Sequence, residues 1–287
     1  MSSPADQPAL PAGARVRPGG GRDVLVVDTQ TVRAEVSLDG GQLISWSPSG
    51  QEDLLWLSPL ARSGAGEAVR GGIPLVAPWF GPGRHGDRSI SHGWLRTAAW
   101  SVLAAGSEGE EILLELVPAR PSAELGAHLT LRLGTELSVD LTITAHDAPL
   151  ELEAALHTYL AVADVREIAI NGLGGAAFLD NTRELAADVQ GEQTLRLTGP
   201  TDRIYDSAAQ VTITDPATGR RIVSTPRGTA QTVVWNPWER QAAQMDDIPD
   251  GAWPQFVCIE PALAKDRFLP LAPGQSHTIG VTYRLES

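Results

Sequence analysis

Apolar and polar residues alternate with a period of two along most of this chain. In TVRAEVSL, Val32, Ala34, Val36 and Leu38 fall on one face and Arg33, Glu35 and Ser37 on the other, which predicts a half-buried strand. DVLVVDT before it completes a hairpin divided near Gln30, and GGQLISWSP and DLLWLSPL continue in strands and turns. EEILLELVP, AHLTLRLG and ELSVDLTITAHD predict a meander. LELEAALHTYLAV, REIAINGLGG, TLRLTG, AQVTITDPATGRRIVSTP, TAQTVVWNPW, PQFVCIEPA and SHTIGVTYRL carry the same pattern to the C-terminus. Helical periodicity is almost absent, and the best candidates are the short TRELAADV and WERQAAQM, the second following Pro237. With no repeat, charge block or Pro/Ser-rich linker, the sequence predicts an all-β protein. It reads as a disordered or frayed leader over residues 1–21, then a single domain of two large packed sheets over 22–287, with a split into two sandwiches as the alternative.

The stretch Arg70 to Arg96, RGGIPLVAPWFGPGRHGDRSISHGWLR, departs from that alternation. Gly71 and Gly72 permit a close backbone approach or a positive φ, while Pro74, Pro78 and Pro82 fix the path between two arginines. A rigid, cationic pocket wall is expected. Charge sharpens this expectation: 22 Lys+Arg against 35 Asp+Glu leave a formal net charge of -13. That balance argues against nucleic acid and anionic membrane as partners, so an anionic ligand needs a local arginine cluster. A single cysteine, Cys258, excludes an intrachain disulfide framework and fits a reducing cytoplasm. No apolar run approaches the roughly 20 residues of a membrane span, and the N-terminus lacks the apolar region of a signal peptide.

Two ionisable residues stand out on apolar strands. Alternation in ELEAALHTYL puts Glu151, Glu153, Ala155, His157 and Tyr159 on one face, read as polar, and Leu152, Ala154, Leu156, Thr158 and Leu160 on the apolar face that packs. A lone strand histidine is more often structural than catalytic, and this stretch alone leaves both readings open. In QFVCIEPA, Phe256, Cys258 and Glu260 share a side, and Pro261 predicts a strand end there. A carboxylate at that position is either solvated or projects into a cleft mouth.

Six blocks in order, RGGIPLVAPWFGP, SHGWLR, LHTYLAVADV with INGLGGAAFLD, TDRIY, VVWNPW and FVCIEPA, resemble the glucose-6-phosphate 1-epimerases, or D-hexose-6-phosphate mutarotases, of the galactose-mutarotase-like superfamily. The resemblance spans about residues 22 to 285. It implies a β-supersandwich and an isomerase that exchanges the anomers of a hexose 6-phosphate without redox cofactor or metal. It further implies that Glu260 is the base toward the anomeric hydroxyl and His157 the acid toward the ring oxygen. Arg70 and Arg96 are expected to bind phosphate through their guanidinium forks. His92 is expected at substrate oxygens or in its glycine turn, and Asp202 of TDRIY at a substrate hydroxyl. Ser91 departs from the pattern, since many members place a glutamine before the HG pair. A monomeric cytoplasmic enzyme with a small phosphosugar as its partner is the resulting expectation.

Other classes fit less well. A carbohydrate-binding β-sandwich needs no joint His157 and Glu260, and a glycoside hydrolase needs two flanking carboxylates that the sequence does not offer. A mutarotase for unphosphorylated aldoses is the nearest rival, and Arg70 and Arg96 argue against it. Of the eight tryptophans, Trp46, Trp56, Trp100 and Trp253 are expected to pack in the core, and one of Trp79, Trp235 and Trp238 to line the sugar pocket. Asn236 is expected to fix a turn.

Overall fold

The computed structural model describes residues 8–19, 23–62, 64 and 66–286. Two large antiparallel sheets dominate it. The nine-stranded sheet runs, edge to edge, through Thr194–Leu195, Ala169–Asn171, Val211–Asp215, Arg220–Arg227, Ser276–Glu286, Leu137–Ala145, Leu125–Leu133, Glu111–Pro118 and Trp100–Glu108. Its interior strands Leu125–Leu133 and Leu137–Ala145 alternate buried and half-buried at every residue, as their sequences demand. One face is therefore apolar and must be covered.

An eight-stranded sheet supplies much of that cover. Its order is Ala186–Val189, Ala177–Asp180, Thr201–Tyr205, Gln231–Asn236, Phe256–Leu263, Ala154–Leu156 and Leu75–Val76, with Tyr159–Ala161 also pairing with Phe256–Leu263. Both central strands, Gln231–Asn236 and Phe256–Leu263, are buried at every position. A single strand buried on two faces cannot alternate, which is why VVWN and FVCI read as continuous apolar runs. Tyr283 of the nine-stranded sheet reaches across, its hydroxyl 3.5 Å from the Ile259 carbonyl, and tethers the sheets at mid-core. A four-stranded sheet of Ala14–Arg17, Val24–Asp28, Val32–Ser37 and Gln42–Pro48 joins the same core through Leu25, Val36 and Trp46.

Three expectations are corrected by these elements. Within the stretch read as a leader, Ala14–Arg17 is a strand paired with Val24–Asp28; residues 1–7 and 20–22 lie outside the described residues. TRELAADV is not a helix. Its start is one 3-10 turn, Asn181–Arg183, followed by left-handed residues at Glu184 and Leu185 and by the edge strand Ala186–Val189, so pairing with Ala177–Asp180 overrides local propensity. WERQAAQM does start a helix after Pro237, but only over Trp238–Ala242. Lastly, Pro261 does not end its strand, which continues to Leu263.

Candidate active site

His157 and Glu260 meet because two pairings share one register. Ala155 lies opposite Ala262 and Tyr159 opposite Cys258, so the residues between them set His157 against Glu260. The two strand segments are nevertheless interrupted at His157 and Thr158. Pro261 explains the break. Ile259 donates its N–H to the Thr158 carbonyl at 3.2 Å, so the next bonded pair along this ladder is Leu156 with Pro261. Pro261 has no N–H to give, and the Leu156 carbonyl instead accepts the Thr158 N–H at 2.8 Å and the Thr158 hydroxyl at 3.3 Å. The result is a three-residue turn with His157 at its centre.

The imidazole is clamped from three sides. Tyr159 stacks on it with ring centroids 5.0 Å apart, Trp235 meets it edge-on at 5.8 Å and His92 at 5.7 Å. His157 Nε2 lies 3.4 Å from Glu260 Oε1, with only 8% of His157 and 1% of Glu260 exposed. His157 Nδ1 and Glu260 Oε2 are buried without a hydrogen-bond partner. Two polar atoms left unpaired in this way cost free energy, so they mark where a polar ligand belongs. Burial first, then the neighbouring His92 ring and the guanidinium charges of Arg96 and Arg70, push the His157 pKa well below its ordinary value. Burial, then the Asp202 carboxylate, push Glu260 well above the ordinary carboxylate range. Both groups favour their neutral forms.

The loop from Arg70 to Arg96 forms the wall. Gly71 and Gly72 have φ of 113° and 62°, and a Cβ on either would lie 2.4 Å from the Trp56 carbonyl oxygen or 2.3 Å from that of Leu43. Their close approach is to the protein's own backbone. Arg70 donates from Nη1 to the Tyr159 hydroxyl at 2.8 Å and from Nε to Asp247 at 3.0 Å. Arg96 has a lighter tether: Nη2 donates to the Ser91 carbonyl at 2.8 Å, and its buried Nε has no partner. Burial lowers the Arg96 pKa from its usual value. At His92, the Gly81 N–H donates to Nδ1 at 3.2 Å, which makes Nδ1 the acceptor and leaves the ring proton on Nε2. Burial, with Arg96, Arg70 and Lys265 behind it, pushes the His92 pKa down to about 3. His92 is thus a neutral donor.

On the far side, Asp202 accepts from Asn181 Nδ2 at 2.7 Å, and burial raises its pKa. All six residues singled out in the sequence, Arg70, His92, Arg96, His157, Asp202 and Glu260, line one cavity of about 530 Å³. Trp235 is the tryptophan at its wall, whereas Trp79 donates to the Ile90 carbonyl at 2.7 Å and Trp238 packs on Trp253 at 4.5 Å. Asn236 does fix a loop. Its Nδ2 donates to the Trp253 and Phe256 carbonyls at 2.9 and 2.8 Å while its Oδ1 accepts the Trp238 N–H at 2.9 Å. That loop delivers Gln241 and Met245 to the cavity and Asp247 to Arg70.

Lys265 escaped the sequence reading. It sits in left-handed conformation at φ 55°, its N–H bonded to the buried Glu153 carboxylate at 2.7 Å, and its side chain lines the same cavity. A lysine in AKDR carries no local signal; only the distant Glu153, itself taken for a polar-face residue, places it. Asp247 was missed for the same reason.

Comparison with known proteins agrees with this architecture. A relative from Escherichia coli (strain K12), provisionally named glucose-6-phosphate 1-epimerase, is 32% identical over 252 residues, covering 85% of this chain and 84% of its own. Another from Cenchrus ciliaris with the same provisional name is 30% identical over 276 residues, covering 90% and 83%. Among crystal structures, a provisionally named mutarotase from Salmonella typhimurium superimposes with a TM-score of 0.90 at 26% identity, over 98% of this chain and 96% of that one. The galactose 1-epimerase of Lactobacillus acidophilus shares the fold at a TM-score of 0.73 and 13% identity, over 97% and 99%. The sequence matches the aldose 1-epimerase family over residues 23–284, and the chain belongs to that family.

Proposed function

We propose that this protein interconverts the α and β anomers of a hexose 6-phosphate, glucose 6-phosphate foremost, as a cytoplasmic monomer. The observation that carries the reading is a buried His157–Glu260 pair, 3.4 Å apart, in the cavity that Arg70 and Arg96 also line. Glu260 takes the proton from O1 while His157 gives one to the ring oxygen. The C1–O5 bond breaks with its electron pair going to O5, and the open-chain aldehyde forms. Rotation about C1–C2 presents the other carbonyl face, and the reversed transfers close the ring to the opposite anomer. Protons and electrons balance with no co-reactant.

Ring opening in this direction needs a protonated His157 beside an ionised Glu260, whereas burial favours the neutral arrangement of the same single proton. The substrate itself supplies the bias. A phosphate dianion against Arg70 and Arg96 offsets the positive field that depresses His157, and the short contact to Glu260 lets the proton cross. His92 Nε2–H donates to a sugar oxygen, Asp202 accepts from a hydroxyl, and Lys265 adds a third cation to the cavity.

One observation favours a second reading. Arg70 is already paired with Asp247, which reduces the charge it can offer phosphate and suits a mutarotase for unphosphorylated aldoses. Exchange NMR on the anomers of glucose 6-phosphate and of glucose, side by side, separates the two. Faster exchange per enzyme for the phosphorylated sugar is expected; equal or faster exchange for glucose would replace the first reading with the second.

A further inference from the structure

Cys258 has no part in this reaction, yet it shares the face that carries it. It stands two residues before Glu260 on the same strand and opposite Tyr159, which puts its side chain diagonal to His157. A nitrogen of His157, the sulfur of Cys258 and a carboxylate oxygen of Glu260 all lie within 4.8 Å of one another, and all three residues are buried. Among the described residues this is the one group of three such side chains close enough to share an ion. A further feature points to a ligand: Oε2 of the Glu260 carboxylate is buried and lacks any partner. We propose that His157, Cys258 and Glu260 form a three-ligand site for a thiophilic divalent cation of the zinc class, which reversibly blocks the catalytic pair.

The donor set selects the ion. One imidazole nitrogen, one thiolate and one carboxylate suit a borderline-soft ion with tetrahedral preference, whereas magnesium and calcium require shells of oxygen. With metal–ligand bonds of about 2.0–2.1 Å, two tetrahedral ligands stand about 3.3 Å apart; Nε2 of His157 and Oε1 of Glu260, the ligand atoms, are at 3.4 Å. Cys258 must draw in by a rotamer adjustment, since the three ligand atoms now lie within 4.8 Å of one another. Thiolate and carboxylate together offset the dication, so the neighbouring Arg70 and Arg96 meet no net added charge. The thiol proton and the proton of the His157–Glu260 pair leave through the cavity to solvent. Inhibition follows because a metal on Glu260 and His157 denies both the proton transfers. That consequence rests on the proposed function; the metal site itself does not.

Cobalt(II) titration of tag-free protein tests the site without reference to activity. A thiolate-to-cobalt charge-transfer absorption that zinc displaces is expected in the wild type and absent in Cys258→Ser and Cys258→Ala, two variants offered so that one misfolding leaves the other. In parallel, zinc should slow anomer exchange in the wild type at concentrations at least tenfold lower than in either variant, with recovery on adding a chelator. No charge-transfer band in the folded wild type overturns the site. Equal zinc sensitivity in wild type and a folded variant also overturns it, since zinc would then act through His157 and Glu260 alone. A band in a wild type that exchanges no anomers upholds the metal site and overturns the epimerase reading.

Discussion

At the scale of single residues, the proposed chemistry depends on one proton shared by two buried groups. On that proposal the active form is singly protonated, and it is lost on both sides. Acidification through the lowered pKa of His157 protonates both groups, and alkalinisation through the raised pKa of Glu260 strips both. The profile of kcat/KM, which reports the free enzyme, should therefore be a broad plateau whose acid limb lies below the ordinary imidazole value of about 6.5. Corrected for the phosphate's own ionisation near about 6, an acid limb at or above that value would contradict the buried, cation-flanked setting of His157. His157→Asn and Glu260→Gln should each reduce exchange by about 10²–10⁴-fold in folded protein. Arg96 differs from Arg70 in having no acidic partner among the described residues. Losing one charged hydrogen bond of about 1.5–3 kcal/mol in Arg96→Ala should raise KM for glucose 6-phosphate about tenfold or more, with little change in kcat, because phosphate is remote from C1. Glucose exchange should hardly respond. Equal losses for both sugars would assign Arg96 a structural role.

At the scale of elements, the alternating strands were legible because each residue's burial there follows from a period of two, as in Leu125–Leu133. The same rule misread one place. It put Glu153 on a polar face, although Glu153 is 2% exposed and accepts the Phe80 and Lys265 N–H groups. Pro261, read as a strand end for its missing N–H, was a second misreading, because nothing local reveals that the partner strand can forgo a ladder bond. The six site residues could be named from motif blocks, but their meeting depends on register between strands distant in sequence, which no window contains. Pro261 turns that register into a testable device. In Pro261→Ala a restored N–H competes with Thr158 for the Leu156 carbonyl, which relaxes the turn under His157. Exchange should fall by up to about 10²-fold, the cost of misplacing a reacting group by about 1 Å, while thermal stability stays close to wild type. Unchanged exchange in folded Pro261→Ala would show that the clamp of Tyr159, Trp235 and His92 alone holds the ring.

At the scale of the whole molecule, labour is divided between the sheets. The six candidate residues lie on the eight-stranded sheet and the loop beside it, whereas the nine-stranded sheet contributes backing and Tyr283. The net charge of -13 fits the same division. A net negative charge repels phosphate at long range, but beyond a Debye length of about 8–10 Å at 0.1–0.15 M salt that repulsion is screened. On the proposed function, recognition is left to cations inside the cavity. A core substitution in the backing sheet should then change stability and leave chemistry alone. Leu141 is fully buried at the centre of Leu137–Ala145, paired with Leu129 on one side and Ile279 on the other. Leu141→Ala should cost about 2–5 kcal/mol, the transfer of the lost methylenes plus the cavity left behind. Denaturant unfolding should register that loss as a lower midpoint at unchanged slope. Anomer exchange per folded molecule should remain within about twofold of wild type, since a 1 Å shift at His157, which would cost about 10²-fold, is not expected from a cavity in the opposite layer. A large fall in exchange at full folding would mean that the two sheets move together and that the site's geometry is set by the whole core.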